Sequence, residues 1–280
     1  MLKAAAVVVL YNPDAIILKN IKTYINQVAK LFVIDNSDKI NSPLVEKIRL
    51  LKNAEYICNN SNVGIAAALN IGAKRAIEEG YKFLLTMDQD SKASPEMVMS
   101  LMEIINSSNE CGIAAAEHVN PEFQQEPKEK ITMEVLFTMT SGNLVNLSAY
   151  QKAGGYLEEL FIDHVDHEFC LRLIKNGFKI IKTTKAIVYH KVGKSSKKKF
   201  FNHYLFPTNH PPLRLYYRTR NRFYIDNLYQ KIFPEYVIED RRNMKRELLE
   251  IFLYDSSKLS KMKMMLKGYI DYRKKRYGKL

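Results

Sequence analysis

Leu84-Leu85-Thr86-Met87-Asp88-Gln89-Asp90-Ser91 is an apolar run that stops abruptly at two carboxylates one residue apart. Read as a buried strand, it places Asp88 and Asp90 on one side of an extended backbone, where residues i and i+2 project together. Two converging carboxylates can hold one hard cation or one polar ligand, and carboxylate oxygen suits Mg²⁺ or Mn²⁺. Asp and Ser are equally at home in a solvated turn, so the pair alone is a weak motif. Its surroundings decide the reading.

Upstream, strand and helix signals alternate. Ala4–Leu10 is a continuous apolar run, and Tyr11-Asn12-Pro13 follows it instead of a small-residue cleavage site, so it reads as a first buried strand and not a signal peptide. Ala15–Val28 has helical spacing, Leu31–Ile34 is a second strand, Pro43–Leu51 a short helix, Glu55–Cys58 a third strand and Val63–Glu79 an Ala-rich helix. Tyr81–Met87 is the fourth strand. Ser94–Asn106 reads as a helix with Ser94 as N-cap and Pro95 at its first position. Such alternation implies a parallel, doubly wound sheet, and ligands bind these sheets at the carboxyl ends of the strands. The polar clusters Tyr11-Asn12, Asp35-Asn36-Ser37, Asn59–Asn62 and Asp88–Ser91 all fall there. Gly64 opens a helix directly after one of them, which suits either close packing on the sheet or a phosphate at the helix start.

After residue 110 the pattern loosens. Gly112–Glu117 reads as a strand and 120–130 as a polar loop. Thr132–Leu147 is strand-like around Thr140-Ser141-Gly142-Asn143, and Phe161–Asn176 is helical, with Ile180–His190 a further strand. Asp163 suits an N-cap, Asp166 the third helical position, and Glu168 an ion pair with Arg172 one turn on. Three acids exceed what capping needs, so one of them can serve as a general base. His190, at a strand end on the same edge as Asp88 and Asp90, can be a third metal ligand. Lys194–Lys199 is a basic loop, and from Pro211 the chain reads as helical, aromatic and basic.

The length suits one large domain or one domain with an appendage, and 46% hydrophobic residues can build a sizeable core. No run of about 18 apolar residues marks a spanning helix. Cys58, Cys111 and Cys170 are dispersed and odd in number, which fits a reducing cytoplasm. The net charge is +13, and residues 241–280 hold 13 Lys and Arg against 4 Asp and Glu. The basic character therefore belongs mainly to the tail. There Ile251, Phe252, Leu259, Met262, Met265, Leu266 and Tyr269 sit among Lys258, Lys261, Lys263 and Lys267 at helical spacing. That pattern suits a helix lying on an anionic membrane surface, and equally a helix packed on the body or on a second subunit of a dimer.

Together these residues resemble an inverting glycosyltransferase of family 2, and within it the bacterial rhamnosyltransferases. The matching stretches are Val8–Pro13, Ile34–Ser37, Asn60–Ala66, Met87–Ser91, Phe161–Glu168 and Tyr217–Asn221, in the family's order. The resemblance covers roughly residues 4 to 225 and implies a GT-A-type doubly wound mixed α/β sheet, beyond which the residues themselves read as a helical, basic C-terminal extension. It implies that Tyr11 and Asp35 hold base and ribose, and that Asn62, Gly64 and Asp88 lie along the nucleotide sugar. Asp90 and His190 would bind a divalent cation, Mg or Mn. Asp166 would be the catalytic base, with Asp163, Glu168, Gly142 and Asn143 on the acceptor side or in support. Val165 stands where many members carry Glu.

The resemblance further implies residues 1–110 as the nucleotide-sugar half and 111–230 as the acceptor half, which leaves 231–280 as the extension. The implied donor is dTDP-L-rhamnose, with a UDP-hexose as the alternative, and the implied acceptor is a lipid-linked saccharide at the cytoplasmic membrane face. A nucleic-acid-binding module is the rival of another class, since Lys and Arg interleaved with Tyr and Phe suit base stacking. The acids expected in the cleft, Asp35, Asp88, Asp90 and Asp166, argue against it.

Overall fold

The computed structural model describes residues 4–122, 126–127, 129–190, 198–200, 203–205, 207–255 and 257–280. They form two units, one of residues 1–158 and 165–191, the other of 159–164 and 192–280.

The first unit carries β1 (Ala4–Leu10), α1 (Ile16–Ile21), β2 (Lys30–Asp35), α2 (Ser42–Arg49), β3 (Ala54–Cys58), α3 (Ile65–Glu78), β4 (Phe83–Asp88), β5 (Lys92–Ala93) and α4 (Met97–Asn106). It continues through β6 (Cys111–Val119), β7 (Thr132–Glu134), β8 (Asn143–Asn146), α5 (Leu147–Ala153), α6 (Val165–Lys175) and β9 (Lys179–Tyr189). The sheet order is β3-β2-β1-β4-β8-β6-β9-β5, with β7 paired to β9. β3, β2, β1 and β4 are parallel, as the alternation predicts. β8 runs antiparallel to both β4 and β6, so the sheet is mixed. All seven residues of β1 are buried, which is why its sequence is apolar without alternation. The register aligns Leu10 with Asp35, Asp35 with Cys58, and Val9 with Asp88. The polar strand ends are therefore level along one edge. Strand order reverses between β1 and β4, where a ligand crevice opens in such sheets.

Several local expectations give way to longer-range contacts. Ala15–Val28 is not one helix: α1 ends at Ile21 and a short 3-10 turn covers Ile25–Gln27. The interruption frees side chains that brace the decisive stretch. Asn20 Nδ2 donates to Gln89 O (2.8 Å), Thr23 Oγ1 accepts from Ala93 N–H (2.9 Å), and Gln27 Oε1 accepts from Val98 N–H (3.0 Å). Gln27 thereby satisfies an amide at the start of α4. Ser94 does not cap it: the helix begins at Met97, and Ser94 Oγ accepts from Ile187 N–H of β9 (3.1 Å). The strand-like 132–147 is two short strands, and a helix, α5, follows at Leu147.

The second unit carries the hairpin β10 (Lys198–Phe200) and β11 (His203–Leu205), then α7 (Pro212–Tyr229), α8 (Pro234–Tyr254) and α9 (Lys258–Arg273). Of the expected basic loop, 194–197 lie outside the described residues and Lys198 begins β10. Segment 159–164 is backbone-strained, with Phe161, Asp163 and His164 all at φ near +63°. Such non-glycine residues cost on the order of 1–3 kcal/mol each. Its carbonyls are held from α7. Arg220 donates to Glu159 O and Leu160 O (both 3.0 Å), and Asn221 Nδ2 lies 2.8–2.9 Å from the carbonyls of Leu160, Ile162 and Asp163. A buried ion pair joins Arg222 to Asp240, and half-buried Glu247 pairs with both Arg218 and Arg222.

α9 packs on α7 through Gly268. A Cβ there would stand 2.4 Å from the backbone oxygen of Tyr216, which cannot step aside as a side chain could. Gly268→Ala is expected to destabilise the protein by about 1–3 kcal/mol, read as a fall in the urea midpoint; an unchanged midpoint would show that the helices can separate freely.

The unit also predicts an acid-sensitive stability. Burial, then the charges of Arg218 and Arg214, lower His210 from 6.5 to about 4. The unfolded chain takes up that proton at the higher pH, so protonation favours unfolding. Stability from this residue is intact above about pH 6.5 and falls on the way to pH 4, by up to about 3 kcal/mol. Denaturation midpoints should drop across that window, and His210→Gln should flatten the slope.

Candidate active site

Asp88 closes β4 and Asp90 lies two residues on, in a turn closed by Ser91 N–H donating to Asp88 O (3.2 Å). The two aspartates thus converge through a turn and not along an extended strand. Gln89 folds back onto the end of β1, its Oε1 accepting from Tyr11 N–H (2.9 Å). Asp88 N–H donates to Ser141 Oγ (3.1 Å). His190, just past β9, brings Nδ1 to 3.2 Å from Asp90 Oδ1 and 2.8 Å from the hydroxyl of buried Ser91. Asp88, Asp90 and His190 each offer a donor atom, all within 4.8 Å of one another. Two carboxylates and an imidazole fit a divalent cation, and the imidazole fits Mn²⁺ better than Mg²⁺.

Across the crevice, Asp35 is buried. Its oxygens accept from Ser37 N–H (2.8 Å) and from the Tyr56 hydroxyl (2.7 Å). Burial, and then that hydrogen bond, push the Tyr56 hydroxyl above its ordinary range. Ser37 Oγ accepts from Asn12 N–H (2.8 Å), which ties the ends of β1 and β2 together and leaves the Tyr11 ring exposed. Asn62 Oδ1 accepts from Gly64 N–H (3.0 Å) at the head of α3. α3 buries Ala66, Ala68, Leu69, Gly72, Ala73 and Ala76, so close packing accounts for its composition.

Asp166 belongs to the same unit. It occupies the second position of α6, one earlier than expected, because the helix starts at Val165. Its Oδ2 accepts from Thr140 N–H (3.2 Å) and its Oδ1 from His167 N–H (3.0 Å). Thr140 O in turn accepts from the Thr86 hydroxyl, two residues before Asp88. A short chain of hydrogen bonds therefore links Asp166 to the strand that ends in the acidic turn. Gly142, at φ +78°, makes the bend that allows this: its N–H donates to Thr86 O and its carbonyl accepts from Ala116 N–H. Asn143 is buried and donates to Met139 O (2.8 Å), bracing the same loop.

The sequence profile of Glycosyl transferase family 2 matches residues 5–161. The chain is also 30% identical over 247 residues to the dTDP-rhamnosyl transferase RfbF of Shigella flexneri, covering 78% of each protein. The chain belongs to glycosyl transferase family 2. Its fold is shared with solved structures. Superposition on the structure of GalNAc-T7 with UDP, GalNAc and Mn²⁺ gives a TM-score of 0.63 at 14% identity, over 98% of this chain and 56% of that one. The mannosyltransferase PcManGT of Pyrobaculum calidifontis, in complex with GDP-Man and Mn²⁺, gives 0.63 at 9% identity, covering 98% and 83%. S. aureus TarS 1-349 in complex with UDP-GlcNAc gives 0.56 at 14% identity, covering 97% and 72%.

As a family 2 glycosyltransferase, the chain is an enzyme. Of the acids in the Phe161–Glu168 stretch, Glu168 makes the ion pair expected of it, and Asp163 meets a different set of partners. Asp163 lies in the second unit, where Arg214 Nε meets both its oxygens (3.1 Å) and Arg218 approaches to 3.6 Å. Burial would raise this carboxyl, but Arg218 and Arg214 outweigh it and hold the group below the ordinary carboxylate range. Glu168 is fully buried in a two-pronged pair with Arg172 (2.9 and 2.8 Å), whose guanidinium also donates to Ala153 O and Gly155 O. Its place is structural support.

No motif or spacing singles out His118. It lies edge-on to His190 with centroids 6.5 Å apart, and burial, then His190 and Lys182, lower it to about 4. His118 is therefore neutral beside His190. Only the pairing of β6 with β9 in the folded sheet brings it there, and no local spacing encodes that.

Proposed function

We propose that this glycosyltransferase transfers L-rhamnose from dTDP-L-rhamnose to a saccharide acceptor, with inversion and with the help of a divalent cation. The observation that carries the reaction is the linkage of Asp166 through Thr140 and Thr86 to the strand that presents Asp88 and Asp90. The identity with the Shigella flexneri dTDP-rhamnosyl transferase supports the donor.

In this reading, Asp166 accepts the proton of the acceptor hydroxyl as its oxygen attacks the anomeric carbon opposite the diphosphate. The carbon–oxygen bond to the diphosphate breaks and the configuration inverts. Backbone N–H groups of Thr140 and His167 hold the carboxylate in one orientation, so little reorganisation precedes proton transfer. Tyr11 and Asp35 hold base and ribose, Asn62 and Gly64 lie beside the sugar, and Asp88 faces ribose and sugar. A divalent cation held by Asp90 and His190 would offset charge on the leaving diphosphate. Residues 1–110 serve the donor and 111–230 the acceptor.

The acceptor we propose is lipid-linked, in the synthesis of a surface polysaccharide at the inner face of the cell membrane. Among the described residues no helix is long and apolar enough to cross a membrane, so attachment would be peripheral. A donor screen tests the reading: with Mn²⁺ or Mg²⁺, dTDP-L-rhamnose should be hydrolysed and transferred in preference to UDP-glucose, UDP-galactose and UDP-GlcNAc. Preference for a UDP-sugar would replace the donor and leave the transferase chemistry standing.

A further inference from the structure

The apolar residues of the tail form two opposite stripes, and among the described residues one is buried and the other exposed. On α9, Lys261, Met265, Gly268 and Asp271 are buried. Met265 packs with Leu215 and Ile251, Asp271 accepts from the Tyr216 hydroxyl (2.9 Å), and Lys261 pairs with Asp255 (2.6 Å). On the other side, Leu259, Met262, Leu266 and Ile270 follow the i, i+3, i+7, i+11 spacing of one helix face, and all are exposed. Leu259 is 80% exposed and Leu266 60%. Phe252, at the end of α8, is 70% exposed and lies under the Lys258 ammonium (5.4 Å), which makes it continuous with the stripe.

We propose that this outer face of α9, extended by Phe252, is the surface by which the enzyme docks on an anionic lipid membrane. Charge selects the occupant. From residue 251 to 280 there are nine Lys and Arg against two Asp. Both aspartates, Asp255 and Asp271, are buried and paired. Exposed Lys258, Lys263, Lys267 and Arg273 flank the stripe, and no exposed acid lies among them. A second copy of this face would bring cations against cations. A polyanion without an apolar phase would leave Leu259, Met262, Leu266 and Phe252 in water. A lipid surface takes both: acyl chains receive the stripe and anionic headgroups the rim, as in helices that lie in the membrane plane. The inference deepens the membrane placement proposed above and is independent of the donor.

The test is co-sedimentation of the full chain, without donor or acceptor, with phosphatidylglycerol-rich and with pure phosphatidylcholine vesicles. Binding is expected to the anionic vesicles and to weaken with salt. Leu259→Gln with Leu266→Gln, both at exposed positions, should weaken it at least about tenfold with an unchanged thermal midpoint. Lys258→Gln and Lys263→Gln should each weaken it by about fivefold and shallow the salt dependence. No binding at low salt overturns the proposal, as does binding that the leucine pair does not alter. A dimer in sedimentation that dissociates in the leucine variant would assign the face to self-association instead. Because the readout is vesicle binding, either failure leaves the transferase reading intact, and a failed donor screen leaves the docking surface intact.

Discussion

Asp166→Asn is expected to slow transfer by about 10²–10⁴-fold. The substitution keeps the size of the side chain and removes its ability to take up a proton. Both oxygens of Asp166 accept backbone N–H groups, from Thr140 and His167. An Asn can satisfy one of these and must turn its NH₂ toward the other, so some stability is lost too, about 1–3 kcal/mol. Initial rates at saturating donor and acceptor, set beside donor KM, separate the two effects: kcat should collapse and KM should hardly move. Glu168→Gln is the contrasting variant. It breaks a buried pair with Arg172 and should cost about 3–5 kcal/mol of stability, while the fraction that remains folded turns over normally. The reverse pattern, with Asp166→Asn active and folded Glu168→Gln dead, would move the base to Glu168.

Asp90→Ala should lower turnover by at least about 10²-fold, because a cation on the leaving group is worth several kcal/mol. Asp90 is exposed and the first unit is built on the sheet beneath it, so the thermal midpoint should hold. Removing divalent cations with EDTA should give the same loss in the unaltered enzyme, and Mn²⁺ should restore that enzyme but not the variant. Binding of Mn²⁺ followed by its paramagnetic signal reads the site without any turnover. Undiminished activity in EDTA would falsify the cation's role.

The levelled polar strand ends were legible in the sequence because parallel strands put their ends on one edge, and apolar runs that stop at Tyr11, Asp35, Asn59 and Asp88 mark those ends. Other features depend on partners too far along the chain for any local spacing to reveal. Asp163 has the residue type of a cap, yet Arg214 and Arg218, about fifty residues later, claim its carboxylate. Ser94 has the type and place of a cap, yet β9 takes its hydroxyl and Gln27 supplies the substitute. The single apolar stripe expected in the tail divides because the spacing counts apolar positions without saying which neighbour each side meets. Ile251 and Met265 pack inward, while Phe252, Leu259, Met262 and Leu266 face out.

The six residues 159–164 have a practical bearing on hybrid enzymes. A designer exchanging C-terminal portions between family members to alter acceptor choice would naturally cut once, near residue 191. That cut would strand the guanidinium of Arg220 and the amide of Asn221, whose carbonyl partners lie at Glu159–Asp163. It would also leave three left-handed residues to a host that evolved no clamp for them. A viable graft needs two cassettes, 159–164 and 192–280, moved together from the same parent.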